Sequence, residues 1–361
     1  MKILIGADVV PMPDTESLFV AQKMEELFGE VEKLIGQADR TIVNLECALT
    51  KSNNEIKKYG PNLKADPKCA DALKKLGVTD VALSNNHVFD YGIEGLKDTM
   101  DALDRVGLPY MGVGENDTAS RKPYIIEEEG KKIGFINVCE HEYSYALPDR
   151  MGTNPYDPYI TMQDIRALKK QVDYVIVLYH GGKEHCAYPS PRLRNLCREM
   201  VLCGANVVLT QHSHCIGCYE KYEGGHILYG QGNFHFCWQG HAPSWYTSFL
   251  VELTIEKDVE MKFIPLVTKE TGIDVAEGAK AEEIMAAFYK RNEELQSGKW
   301  REKWREFCES VKPIYSGRLI GLETEETTER QREGFAHYLD CEAHTDVWRE
   351  LYPTWNMTNE K

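Results

Sequence analysis

No apolar run in the 361 residues is long enough to span a bilayer, so no transmembrane helix is expected. Basic runs of the nucleic-acid-binding type are also missing. The 42 Lys plus Arg against 57 Asp plus Glu leave a formal charge of −15. A surface that acidic repels a polyanion at long range unless a metal or a local basic patch overrides the field, so nucleic acid is not expected as a partner. Internal repeats, low-complexity segments and long flexible linkers are absent. The N-terminal MKILIGADVV carries one Lys and a short apolar run ending in Asp. That run is shorter than a signal peptide requires, and a cytoplasmic protein is expected. What is present in quantity is apolar material, 42% of the chain, enough for a large buried core. The eleven cysteines are scattered, odd in number and mostly set in apolar patterns, as reduced core thiols would be.

Strands and helices alternate along the chain. KILIG at 2–6 reads as a first strand that stops at Asp8, LFGEVEKLIGQAD at 27–39 as a helical stretch, and TIVNLE at 41–46 as a second strand. Cys69, Ala72, Leu73 and Leu76 recur at helical spacing, Gly77 stops that helix, and DVALS follows as a third strand. GIEGLKDTMDALDRVG places Leu96, Met100 and Leu103 on one helix face and ends at Gly107. PYIIEEEGKKIGFINV is a hairpin turning at Gly130. A helix over about 162–171, the strand DYVIVLY, a helical stripe from Leu193 to Val201 and the strand NVVLT continue the alternation. CYEKYEGGHILYG is a further hairpin, and SFLVELTI and MKFIPLV are strands. This order implies a mainly parallel sheet covered on both faces, with a more antiparallel second sheet alongside. From about Ala279 the pattern turns helical. Trp300, Trp304, Phe307, Cys308 and Val311 form an aromatic stripe expected to pack on the main body.

The chemistry lies at the strand ends, where doubly wound sheets place their sites. Asp8 follows the first strand, and Asn44 and Glu46 end the second. Asn85, Asn86 and His87 follow the third, His180 follows DYVIVLY, and His212 and His214 follow NVVLT. One such residue is ordinarily a cap or a turn residue; five successive strand ends, each delivering a carboxylate, amide or imidazole, point to a metal centre. Mixed oxygen and imidazole donors suit one or two Mn²⁺, Fe²⁺ or Zn²⁺ ions and not a cysteine-type structural zinc site. A carboxylate can bridge two cations that together activate a water and clamp phosphoryl oxygens.

With these residues in view the sequence resembles the CapA family, named for poly-γ-glutamate capsule biosynthesis. The resemblance rests on the GAD of IGADVVP, ADRTIVNLECAL, LSNNHVFDYGIEGLKDTMDAL, and VIVLYHGGKEH through VVLTQHSHCIGCYEKYEGGHILYGQGNF. It extends over roughly 1–265, with no family motif beyond about 270. It implies an α/β, metallophosphoesterase-like αββα sandwich over 1–270; the helical pattern beyond it is expected to form a C-terminal extension over 271–361 packed on the main domain. The resemblance also implies roles. Asp8 would ligate a first metal, Glu46 would stand in the bridging position, Asn86 and His180 would hold a second metal, and His212 and His214 would divide between the two. His87 would protonate a leaving group, with Asp90 either orienting it or capping the following helix. Asn44, Asn85, Glu184 and Asn233 would line a substrate pocket, Asn233 alternatively satisfying a turn.

The chain departs from the family pattern in several places. Val10 stands where the first motif carries His, which removes one ligand of the first metal. His180-Gly181-Gly182 replaces a motif with an aromatic, so an aromatic wall is expected to be absent. Thr210 and Gln211 replace a glycine-containing turn. Two functions compete. One is a metal-dependent hydrolase acting on a phosphoester or related anionic substrate, with poly-γ-glutamate or capsule biosynthesis as its setting. The other is a non-catalytic, metal-dependent module that binds a polyanion; Val10 favours it and His87 favours the hydrolase. Cys215-Ile-Gly-Cys218 lacks a second CxxC and reads as two semi-buried thiols. Glu140-His141-Glu142, closing a strand, is either an exposed strand end or a source of contacts near the site.

Overall fold

Alternate residues of the central strands face different cores. In the strand Lys2–Val9, Ile3 and Ile5 belong to one buried cluster and Leu4 to another. In the strand Tyr174–His180, Ile176 and Leu178 share the cluster of Ile3, while Val175 and Val177 face a third. Burial on both faces explains why these segments read as nearly continuous apolar runs. It also defines the architecture of this computed structural model, which describes residues 1–319 and 326–353.

Two sheets stack on the shared cluster. The first runs in the order Ile273–Val275, Val259–Thr268, Thr247–Ile255, Lys2–Val9, Arg40–Leu45, Asp80–Ala82, Tyr110–Met111, with Asn233–His235 also pairing on Lys2–Val9. The second runs Ile216–Tyr222, Gly225–Gln231, Val207–Gln211, Tyr174–His180, Lys131–Cys139, Tyr124–Glu128. Outside the first sheet, Phe19, Phe28, Leu73, Leu96 and Leu103 bring helices onto its outer face. Outside the second, Ile165, Leu196 and Met200 of the helices Ile160–Lys169 and Pro191–Leu202 do the same. The result is the αββα sandwich that the resemblance implies.

Two expectations are corrected. The late hairpins do not make a separate antiparallel sheet. Gly225–Gln231 joins the second sheet parallel to Val207–Gln211, and Thr247–Ile255 extends the first sheet antiparallel to Lys2–Val9. Alternation fixes which face of a strand is buried but not which strand lies beside it, so both sheets are mixed: the first is antiparallel at one margin and parallel through to Tyr110–Met111 at the other, and the second is parallel inside and antiparallel at both margins. The stretch 27–39 is not one helix. Met24–Phe28 and Val31–Ile35 are separated at Gly29, whose φ is 46°. There a Cβ would lie 2.7 Å from Cγ of Asp274, whose Oδ1 accepts the Glu30 N–H at 3.0 Å.

Past residue 270 the chain first completes the sandwich. Ile273–Val275 is a strand of the first sheet, and the helix Gly278–Ser297 places Ile284 and Phe288 in the central cluster, with Phe288 4.8 Å from Phe249 between ring centres. Trp300 of the helix Trp300–Leu319 packs on the second sheet's outer layer. Trp304, Cys308, Tyr315, Val347 and Leu351 make a small cluster of their own around Cys186. Among the described residues no helix is long and apolar enough to cross a membrane.

Candidate metal centre

Strand register explains how residues scattered over the sequence converge. Asp8, Asn44 and Ala82 are rung partners across the first sheet. Cys139, His180 and Gln211 are rung partners across the second. Parallel strands end at one height, so the residues just beyond each rung fall at one edge of the sandwich: Glu46, Asn85 to His87, Glu140 to Glu142, and His212 to His214.

All six expected metal ligands meet there. Asp8, Glu46 and His180 present donor atoms within 4.8 Å of one another, and so do Glu46, His212 and His214, which makes Glu46 the member common to both groups. His180 Nε2 lies 2.9 Å from Asn86 Oδ1 and 3.1 Å from Glu46 Oε1. Asp8 accepts the Asn44 amide N–H at 2.7 Å and the His212 backbone N–H at 3.3 Å. His214 Nδ1 sits 2.8 Å from Asn233 Oδ1, which fixes the ring and leaves Nε2 available. His212 and His214 both take left-handed backbone conformations, φ 81° and 52°, a strain of about 1 kcal/mol or more each that packing must hold in place.

The electrostatics of the cluster are those of groups short of a positive partner. Both Glu46 carboxylate oxygens and His212 Nδ1 are buried without a hydrogen-bond partner. Buried polar groups are otherwise paired, and an unpaired carboxylate is among the costliest groups a protein can enclose. Burial pushes Glu46 up to about 8 against the pull of His212. Burial and the neighbouring Glu46 push Asp8 up to about 7. Burial and His212 push His180 down to about 3, so its ring is neutral and can offer a lone pair. An orphaned carboxylate beside the neutral His180 imidazole fits one or two divalent cations.

Beside this cluster, His87 Nδ1 contacts Asp90 Oδ2 at 2.7 Å, and Lys58 Nζ contacts the same nitrogen at 3.1 Å while pairing with Asp90. Asp90 therefore orients His87; it also accepts the Leu63 N–H at 2.6 Å. Burial and Lys58 hold His87 below its ordinary value. Of the four residues expected around a substrate, Glu184 lines the cleft of about 170 Å³ that opens between Asn86, His87, Glu142 and the tail helices. Asn44, Asn85 and Asn233 are fully buried and spent on bracing. Asn85 donates to Asn44 Oδ1 and Leu45 O and accepts from the His87 and Val88 N–H groups, closing the turn that presents Asn86. Asn44 ties Asp8 to His180, and Asn233 holds His214 while donating to Trp245 O.

Glu142, read from sequence as part of either an exposed strand end or a source of contacts near the site, is buried, accepts from Asn86 Nδ2 at 2.8 Å and lies 3.7 Å from His212 Nε2. Its companion Glu140 is a structural acceptor for Tyr179 and the Gly182 N–H. Lys58, His337, Tyr338 and His344 line the cleft although no motif marks them. Trp245 is buried behind the cluster, 4.5 Å from the His214 ring and stacked on His241 at 3.9 Å. Val10 offers no ligand and is packed in the apolar core. Cys215 and Cys218 are fully buried, not semi-buried, and all eleven cysteines are unpaired.

The model of a family described as bacterial capsule synthesis protein matches residues 3–237. A PGA biosynthesis protein CapA from Bacillus subtilis is 29% identical over 262 residues, 71% of this chain and 67% of that protein. A capsule biosynthesis protein CapA from Bacillus anthracis is 30% identical over 219 residues, 58% of this chain and 53% of that one. Among solved structures, a hypothetical protein from Thermus thermophilus is 17% identical with a TM-score of 0.46, over 73% of this chain and 98% of that chain.

Proposed function

The chain belongs to the bacterial capsule synthesis protein family, and from that premise we propose that it is a metal-dependent hydrolase acting on a phosphoester or related anionic substrate connected with poly-γ-glutamate or capsule synthesis. The observation that carries this reading is the Glu46 carboxylate, buried, unpartnered and common to two groups of donors. Asp8, Glu46, His180 and Asn86 would hold one cation, and Glu46, His212 and His214 the other. Mn²⁺, Fe²⁺ and Zn²⁺ all suit these donors. When bound, such ions polarise a phosphoryl or carbonyl oxygen, lower the pKa of a water and offset the negative charge of the protein's surface.

The chain's own residues do the rest. Asp90 engages Nδ1 of His87, which leaves Nε2 as the nitrogen able to hand a proton to the departing oxygen or nitrogen. Lys58 and Glu184 stand at the cleft where that group would leave. On this reading residues 1–270 supply the donors, and the helices Glu329–Asp340 and Glu342–Leu351 close one side of the cleft through His337 and His344.

The purified protein loaded with Mn²⁺ is expected to turn over generic phosphomonoesters or phosphodiesters. His87→Ala is expected to lower kcat by about 10²–10⁴ with metal content unchanged. Absence of turnover in the wild type, or wild-type rates in His87→Ala, overturns the hydrolase. The second reading, favoured by the apolar burial of Val10, is a metal-dependent polyanion-binding module that does no chemistry.

A further inference from the structure

The tail helices carry a second set of metal-type donors outside the cluster described above. His337 lies in the last turn of the helix Glu329–Asp340, Cys341 is the single residue joining it to the helix Glu342–Leu351, and His344 sits in the first turn of that helix. The order is His-x3-Cys-x2-His. Glu142 meets them from the segment after the strand Lys131–Cys139. Glu142, Cys341 and His344 offer donor atoms within 4.8 Å of one another and are 8%, 1% and 3% exposed. Cys341 Sγ lies 3.1 Å from Glu142 Oε1, and His344 Nε2 lies 3.2 Å from His337 Nε2.

We propose that His337, Cys341, His344 and Glu142 form a binding site for a borderline-soft divalent cation of the Zn²⁺ class, separate from the centre at Glu46. Two histidines, a cysteine and a carboxylate make a full tetrahedral donor set. Zinc bond lengths of about 2.0–2.3 Å put ligand atoms about 3.3–3.6 Å apart around one ion, close to the 3.2 Å between the two Nε2 atoms. The Tyr315 hydroxyl, 2.6 Å from His344 Nδ1, holds that ring with Nε2 facing inward, the outer contact that metal-bound histidines ordinarily make. His337 is held flat between the rings of Tyr59 and Tyr143. Binding forms a metal–sulfur bond and releases the thiol proton to water, Glu142 being the group to which that thiol now donates; nothing is oxidised or reduced. The ion would clamp the tail helices to the segment after strand Lys131–Cys139, and so to the carboxylate that also holds Asn86.

The test is a Co²⁺ titration of the full chain stripped of metal, read by the near-ultraviolet thiolate-to-cobalt absorption, which only a cysteine ligand produces. A saturable band is expected in the wild type and in His180→Ala, lost in Cys341→Ser, with affinity weakened at least about 10-fold in His344→Gln. The His180→Ala arm keeps this result independent of the centre at Glu46 and of the hydrolase reading. If circular dichroism shows Cys341→Ser unfolded, the half-buried His337→Asn decides: at least about 10-fold weaker binding supports the site and unchanged affinity overturns it. No band in the wild type, which would leave the two rings joined by an ordinary hydrogen bond, or a full band in folded Cys341→Ser, also overturns it.

Discussion

Replacing Glu46 by Gln should stabilise the protein when metal is withheld and cease to do so when metal is supplied. The carboxyl is buried, has no hydrogen-bond partner on either oxygen, and is raised from 4.5 to about 8. At pH 7 the folded protein must therefore keep a proton that the unfolded chain has lost. The sign follows: a carboxyl raised in the folded state costs nothing below about pH 4.5, and its cost grows as pH rises toward about 8. Between 4.5 and 7 that cost reaches about 3 kcal/mol at 1.36 kcal/mol per unit. Gln is neutral throughout and fills nearly the same volume. With an unfolding entropy of about 2.1 cal/mol/K per residue, a chain of 361 residues moves about 1.3 °C per kcal/mol, so Glu46→Gln should melt about 4 °C above wild type in chelator at pH 7. The gap should shrink toward zero at pH 5. Mn²⁺ at about 100 times its dissociation constant adds about 2.7 kcal/mol per site to the wild type and far less to a variant lacking the shared carboxylate, so the gap closes or inverts. Thermal melts followed by circular dichroism, in chelator and in Mn²⁺ at pH 5 and 7, read all four conditions. A variant that melts below wild type in chelator at pH 7 would show that Glu46 is satisfied by protein partners, and the argument from its orphaned oxygens would fail.

Two further outcomes test the surroundings of the cluster. Lys58 holds His87 below its usual value from 3.1 Å away, so Lys58→Met should move the alkaline limb of the kcat/KM–pH profile upward by about one unit, the size of one charge at that distance in a water-like medium; an unmoved or lowered limb refutes the pairing. Arg192 joins Glu140 to Asp346, both almost fully buried, and Arg192→Ala would leave two enclosed carboxylates without their cation. A loss of about 3–5 kcal/mol in denaturant unfolding is expected, and a loss below about 1 kcal/mol would mean that the pairs contribute little.

The convergence of the candidate ligands was legible because its cause is local. A strand buried on both faces reads as an apolar run, and a polar residue that breaks such a run at its carboxyl end has few places to go. Asp8, Asn44, His180 and Gln211 lie on two rungs of two sheets, so the order of strands and helices alone brings their successors to one edge. The placement of the hairpins was not legible, because period-two alternation is indifferent to the neighbour chosen. Nor was the break at Gly29, where the interruption is made by Asp274 arriving from 245 positions along the chain. Asn85 and Asn233 show a subtler limit. Their residue type and position suit a pocket, and only the hydrogen bonds reveal that their side chains brace neighbouring strands and turns, among them the His87 backbone and the His214 ring. The tail shows the largest gap. His337, Cys341 and His344 sit within one helical hairpin and read there as ordinary helix residues. What gives them meaning is Glu142, 199 positions before Cys341, and no periodicity along the chain encodes that meeting. Residues that the strands deliver can be found from the strands; residues that arrive from outside the sandwich to close its open edge have to be seen in place.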